Sequence, residues 1–252
     1  MIMFSFSQEP ALRFAGLSSL LILACTMATG VRAGDVAELA ILGFSQSGGI
    51  FAFEEYGVQD GSGFPYANRY YIDTATDSYV KGTPVRVRID DENASLQAAR
   101  DKAREQGEAI VRQSELAANR GYTAGSNAVT ELSADPLRMA VNPRPVFPAI
   151  DKPLEFRLEA IPFGELEQCH GMGEARGFRL LRIDATDGGR TRIVHEDKSV
   201  PQSRGCPTGY SIGAIQTFAS EGSVSHYAVL IAVQKIGFEG PDYRWMAVTG
   251  KF

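Results

Sequence analysis

The chain has 252 residues, 44% hydrophobic and 22% charged, with a net charge of −5. That composition is ordinary for a globular protein able to bury a sizeable core, in one large domain or two small ones. The acidic balance argues against nucleic acid or an anionic lipid surface as partner, because both are held by clustered Lys and Arg.

The first stretch does not read as core. Arg13 precedes an apolar run from Phe14 to Met27, and Val31-Arg32-Ala33 follows. This is the charged, apolar, small-residue order of a secretory signal peptide over residues 1–33, cleaved after Ala33. The run is short for a membrane span, and an uncleaved anchor is the rival reading. A second rival is a lipoprotein anchored at Cys25, which small Ala24 precedes, although Leu23 is bulky for such a site. Removing residues 1–33 takes away Arg13, Arg32 and Glu9 and moves the net charge from −5 to −6. The mature product, residues 34–252, is expected to be secreted or periplasmic, with no transmembrane segment left.

Asp35 to Phe44 is short and apolar and reads as a strand. Ser45, Ser47, Gly48 and Gly49 are turn residues, and Ile50-Phe51-Ala52-Phe53 is a run rich in β-formers. Gln59 to Asn68 reads as loop, punctuated by Gly61, Gly63 and Pro65; Arg69 to Asp73 reads as the next strand, closed by a turn at Thr74–Ser78. This region concentrates the chemistry of the chain. Glu54, Glu55, Asp60 and Asp73 supply carboxylates, and Tyr56, Phe64, Tyr66, Tyr70 and Tyr71 supply aromatic rings. Paired carboxylates perform acid–base or glycosidic chemistry only when they face one another. Glu54 and Glu55 are adjacent, so a strand points them to opposite sides. Asp60-Gly61-Ser62-Gly63 has the flavour of a calcium loop without the further acidic ligands. The plain alternative is a polar loop over ordinary sheet packing.

Val85 to Ile89 alternates Val, Arg, Val, Arg, Ile, a period of two with one wet face. Asp90, Asp91 and Glu92 then precede one main helix over about 93–120, with Asn93 as N-cap and a thin stripe of Leu96, Ala99, Ala103, Ile110 and Ala117. Glu108 stands four residues before Arg112, a supportive spacing, and Gly107 interrupts the helix at a cost of about 1 kcal/mol. Gly121 ends it. Residues 121–153 carry five prolines, from Pro136 to Pro153, and read as a connector without a long regular element.

The remainder reads as sheet: Leu154–Ala160, Phe178–Ala185, Arg190–His195, Tyr210–Phe218, Tyr227–Gln234 and Arg244–Thr249, with a hairpin turn at Asp187-Gly188-Gly189. A faint repeat joins the two ends. Ala40-Ile41 and Phe44 match Ala214-Ile215 and Phe218; Phe51-Ala52-Phe53 matches Tyr227-Ala228-Val229; Arg69-Tyr70 matches Arg244-Trp245. Chance similarity between strand-rich segments is the rival. The fold class is therefore mainly β with one main α-helix (α+β) and antiparallel sheets, with two propeller-blade-like units as one option.

Cys169 and Cys206 remain after export, and an even count in an oxidising compartment points to a disulfide. A metal site built from Cys169, His170, Cys206 and His195 or His226 is the rival, but adjacent Cys169-His170 lacks the spaced ligand pairs of zinc sites. No serine sits in a nucleophile elbow and no glycine loop cradles phosphate.

Three motifs, FSQSGGIFAFEEYGVQDGSGFPYANRYYID from Phe44, VPQSRGCPTGYSI from Val200 and GFEGPDYRWMAV from Gly237, resemble the predicted secreted proteins of domain-of-unknown-function family 2259. That resemblance implies export from a bacterial cell and brings no activity or site residues with it. The first motif is also similar to the FSPDG-type segment of TolB-like propeller blades, with Gln46 and Ser47 in place of Pro-Asp, an analogy only. The expectation is a binding or envelope-interaction module using Glu54, Glu55, Tyr56, Asp60, Phe64, Tyr66 and Arg69, with Arg204 and Arg244 able to meet the acids of that stretch. Its partner would be an envelope protein or a small ligand, and no metal or cofactor is expected. The alternatives are a hydrolase acting through Glu54, Asp60 or Asp73, and a purely structural protein.

Overall fold

The computed structural model describes residues 34–184, 189–220, 222–237 and 240–252. The signal peptide reading, Cys25 and most of the expected turn at Asp187-Gly188-Gly189 lie outside the described residues. Among the described residues, thirteen strands form three antiparallel sheets. The first holds β1 (Glu38–Phe44), β2 (Ile50–Val58), β3 (Pro65–Asp73), β4 (Ser78–Tyr79) and β5 (Val85–Arg88), with β4 and β5 both on the outer side of β3. The middle sheet has the order β13 (Pro241–Lys251), β12 (Ser223–Ile236), β11 (Pro207–Ser220), β6 (Tyr122–Ser126). The third has the order β10 (Thr191–Glu196), β9 (Ala175–Asp184), β8 (Leu154–Gly164), β7 (Arg138–Val141).

Side-chain alternation stacks these sheets. On β12, Ala228, Leu230 and Ala232 face the first sheet, while Tyr227, Val229, Ile231 and Val233 face the third. Both faces are dry, so the strand is an unbroken apolar run rather than an alternating one. Each large side chain buried this way contributes about 1.5–3 kcal/mol. Phe44, Phe51, Phe53 and Tyr70 fill the first interface together with Phe218, Leu230 and Trp245. Phe156, Phe178 and Leu180 fill the second with Ile212, Ile215 and Val248. The far face of the first sheet, with Ala52, Ala67, Tyr71 and Val87, is covered by helices.

The stretch expected to be one helix over 93–120 folds as two, α1 (Leu96–Gly107) and α2 (Gln113–Ala118). The N-cap of α1 is Ser95, whose hydroxyl accepts from the Ala98 amide at 3.1 Å, not Asn93. The break follows Gly107, where a Cβ would stand 2.1 Å from the Tyr71 hydroxyl. Glu108 turns to accept from the Gln113 amide at 3.2 Å, at the start of α2, and among the described residues it makes no ion pair with Arg112. Tertiary approach thus overrides helical periodicity here.

The proline-rich connector contains two short strands that the sequence reading did not foresee. β6 adds to β11 and β7 adds to β8, so one segment edges two sheets in succession. The repeat marks two three-strand meanders, β1-β2-β3 and β11-β12-β13, stacked face to face. The likeness stops at the elements: Phe51 and Phe53 face the first interface, whereas their matches Tyr227 and Val229 face the second. Among the described residues each sheet has two free ends in its strand order.

Candidate functional site

Strand order puts β4 and β5, β13 and β10 at sheet edges, and these edges come together along one side of the stack. The seam holds a cleft of about 520 Å³ walled by all three sheets, within the size range of small-molecule sites. The opposite walls carry Tyr70 and Tyr79 from the first sheet and Trp245 from the middle one.

Glu55 forms its floor. β2 directs Glu55 inward to the middle sheet and Glu54 outward to the helices, as adjacent residues on a strand must be. The Glu55 carboxylate is 2% exposed and fully engaged: it accepts from the Tyr70 hydroxyl (2.6 Å), from Asn68 Nδ2 (3.0 Å) and from the backbone N–H of Trp245 (2.7 Å). Burial, and then the adjacent Glu55 charge, raises the Tyr70 phenol far above its ordinary value, so this hydroxyl stays a donor. The last of the three bonds satisfies an amide on the free edge of β13.

Asp77 performs the same task further along. It sits in the β3–β4 turn at φ 50°, and its Oδ1 accepts from the Thr249 amide at 2.7 Å and from the Thr249 hydroxyl at 3.0 Å. Its Oδ2 lies 3.7 Å from His195 Nδ1 on β10. His195 stacks on Phe178 at 4.7 Å between ring centroids, and its Nε2 is 3.3 Å from Asp197 Oδ1. Burial alone would lower the His195 pKa; the hydrogen bonds and charges of Asp197 and Asp77 outweigh it and push the value up to about 9. Asp197 is pushed the other way: burial raises its pKa, but His195, Arg204 and the Phe178 amide bring it to about 2. Arg204 Nη1 bonds Asp197 at 2.6 Å and the Tyr210 hydroxyl at 3.2 Å, forming the roof.

The other end of the cleft is cationic. Arg244 Nη2 bonds Asp35 Oδ2 at 2.5 Å, its Nη1 bonds the Asp35 carbonyl at 2.8 Å, and its guanidinium lies over the Tyr66 ring at 5.1 Å. Lys235 is half-buried and Arg86 is exposed, and among the described residues neither makes a salt bridge. Burial, followed by the nearby Arg244 charge, lowers the Lys235 pKa from its usual value.

The candidate residues thus divide. Glu55, Arg204 and Arg244 meet in the cleft, with Tyr66 beneath Arg244. Glu54, Arg69 and Tyr56 lie on the opposite face. There Glu54, fully buried, is held by Arg69 Nε at 2.7 Å and Arg100 Nε at 2.6 Å, and Arg100 covers the Tyr56 ring at 3.8 Å. That cluster fastens α1 to the sheet. Asp60 and Phe64 are on the β2–β3 loop, where Arg88 covers the Phe64 ring at 5.8 Å. The stretch from Gln59 to Asn68, expected as loop, is loop only as far as Phe64; Pro65 onward is strand β3, with Tyr66 and Tyr70 turned into the core.

The hydrolase reading required two carboxylates to converge, and the structure keeps them apart. Asp73 is paired across from Ile50, four residues from Glu54 on β2, or roughly 13 Å along the strand. Asp60 lies past the far end of the same hairpin. For the metal reading, Cys169 and Cys206 are joined as a disulfide, and among the described residues no group of three or more His, Cys, Asp and Glu is placed to hold a metal ion.

Sequence reasoning did not single out Arg86, Tyr79, His195, Lys235 or Trp245 as cleft residues. Arg86 carried a usable signal, since it occupies the wet position of Val85-Arg86-Val87-Arg88. The others depend on which edges the sheets leave free, which no local pattern encodes.

Among the described residues no helix is long and apolar enough to cross a membrane, a statement that says nothing of strands. No curated protein and no solved structure matches the chain. The family model described as "Predicted secreted protein (DUF2259)" matches residues 52–251, from within β2 to the end of β13 and so across all three sheets. The chain belongs to this family of predicted secreted proteins.

Proposed function

We propose that the protein is an exported binding module whose ligand seat is the seam cleft. The observation that carries this reading is the meeting of Glu55, Arg204 and Arg244 in one cavity of about 520 Å³ shared by three sheets. The engaged carboxylates at Glu55 and Asp77 fix the walls, while the aromatic faces remain available to a ligand, as do Arg86 and Lys235, which make no salt bridge among the described residues. The signal peptide read over residues 1–33 supports delivery to the periplasm or beyond.

Native mass spectrometry of the protein purified from cells that export it tests this. A bound small molecule is expected on the wild type and not on Ser203→Tyr, which places a ring at the exposed rim of the cleft. A wild-type protein that carries no small molecule, or a Ser203→Tyr variant that carries the same one, would sink the reading.

A further inference from the structure

We infer that the ligand is a small organic anion, a carboxylate or phosphate ester on an apolar or aromatic body, with its charge between Arg86, Lys235 and Arg244. This rests on the cleft being the ligand seat. The acids of the cleft are already committed: Glu55 to Tyr70, Asn68 and the Trp245 amide, and Asp77 to Thr249 and His195. At the other end Arg244 is paired with Asp35 and lies 3.9 Å from Asp242, whereas Arg86 and Lys235 make no salt bridge among the described residues. Arg244 spends Nη1 on the carbonyls of Asp35 and Tyr243 and one Nη2 bond on Asp35 Oδ2. A guanidinium has five N–H donors; of the two left, one is on Nη2, which lies 3.9 Å from Asp242 Oδ2, and the other is Nε.

Arg86 and Arg244 also line a neighbouring depression of about 400 Å³ with Arg88 and Tyr66, so they stand on the ridge between two hollows. Lys235 is half-buried beside Arg244 and makes no salt bridge among the described residues; the Asp242, Glu55 and Asp35 charges offset burial and the Arg244 charge there only in part. Partly desolvated like charges repel, and an anion between them relieves the repulsion. This patch is carried by a protein whose overall charge is acidic, so its sign is local rather than a property of the whole surface. Tyr70, Tyr79 and Trp245 line the rest of the cleft and suit a flat apolar body.

The test compares two dyes of like shape and different charge, anionic 1-anilinonaphthalene-8-sulfonate and neutral N-phenyl-1-naphthylamine, on the full exported chain. The anionic dye is expected to bind at least about tenfold more tightly, equivalent to about 1.4 kcal/mol, and to be displaced by citrate. The double variant Arg86→Gln/Lys235→Gln should remove that preference and leave the neutral dye within about twofold. Equal affinity for both dyes, or an anionic affinity unmoved by the two substitutions, would overturn the assignment of charge while leaving the cleft as a seat. Binding of both dyes unchanged in Ser203→Tyr, or no binding of either, would overturn the seat and this inference with it.

Discussion

The Asp77 carboxylate and the His195 imidazole lie 3.7 Å apart across the seam, so one side chain of the first sheet reaches both the middle and the third. Asp77→Ala removes the acceptor for Thr249 and the counter-charge of His195 together and is expected to cost about 2–4 kcal/mol. Asp77→Asn keeps an acceptor and tolerates φ 50°, because Asn enters the left-handed region more readily than Ala. It should therefore lose about half as much. Urea denaturation of the three proteins measures the order; equal losses for Ala and Asn would show that Thr249 does not depend on this carboxylate.

The raised pKa of His195 gives stability a dependence on alkaline pH. The folded value of about 9 lies above the ordinary 6.5, so the contribution is complete below pH 6.5 and is lost as pH rises through about 9. After allowance for solvent at this partly exposed ring, the loss is of order 2 kcal/mol. Asp197 acts oppositely, with a folded value near 2 against an ordinary 3.8. Its contribution is present above pH 3.8 and lost as pH falls through about 2. Unfolding free energy measured from pH 6 to 9, below the titration of the buried tyrosines, should decline in the wild type and much less in His195→Gln; parallel curves would disprove the alkaline term.

Glu54 is the strongest test of the division between the two faces of the first sheet. It is fully buried and bonds two arginines. Glu54→Gln leaves Arg69, itself 5% exposed, as an uncompensated buried charge, a defect of about 3–5 kcal/mol. The expected phenotype is loosening of α1, read as faster amide exchange over Leu96–Gly107, with no effect on dye binding in the seam if the variant folds. Unchanged stability with altered binding would place Glu54 in the ligand site instead.

Gly107 separates helix propensity from packing. Alanine is the better helix former by about 1 kcal/mol, yet its Cβ would stand 2.1 Å from the Tyr71 hydroxyl. Gly107→Ala is expected to destabilise by about 1–3 kcal/mol through overpacking. In a Tyr71→Phe background the clash disappears, and the same substitution should become neutral or stabilising. A double-mutant cycle with no coupling would refute this contact.

The positions of many strands were legible because alternation survives where one face is wet, as in Val85-Arg86-Val87-Arg88, and apolar runs survive where neither is, as in Tyr227–Val233. Gly107 was legible as an interruption of one helix but not as the point where it divides into two, because the contact that fixes it is with Tyr71, 36 positions away in the sequence. The strands β6 and β7 were hidden for a related reason: short edge strands take their conformation from β11 and β8, not from Tyr122-Thr123 or Met139-Ala140 themselves. The carboxylates of β2 pointed to opposite faces as read, but the ligand seat needed the positions of β10, β12 and β13, which local sequence does not supply.

The Cys169–Cys206 bridge ties the turn after β8 to the residue just before β11, and so joins the third sheet to the middle one beside the roof formed by Arg204. It closes a span of 37 residues, for which loss of unfolded-state entropy predicts about 4 kcal/mol of stabilisation. Both sulfurs lie in an apolar cluster with Leu166, Ala175 and Ile236, and Cys169 is fully buried, so a reductant reaches them chiefly through opening of the fold. Cys169→Ala/Cys206→Ala is expected to lower the unfolding free energy by about 3–4 kcal/mol. Reduction of the native wild type should be slow and should accelerate sharply in moderate urea. Fast reduction in buffer alone would mean that the β8–β9 end opens independently of the sheets it clamps.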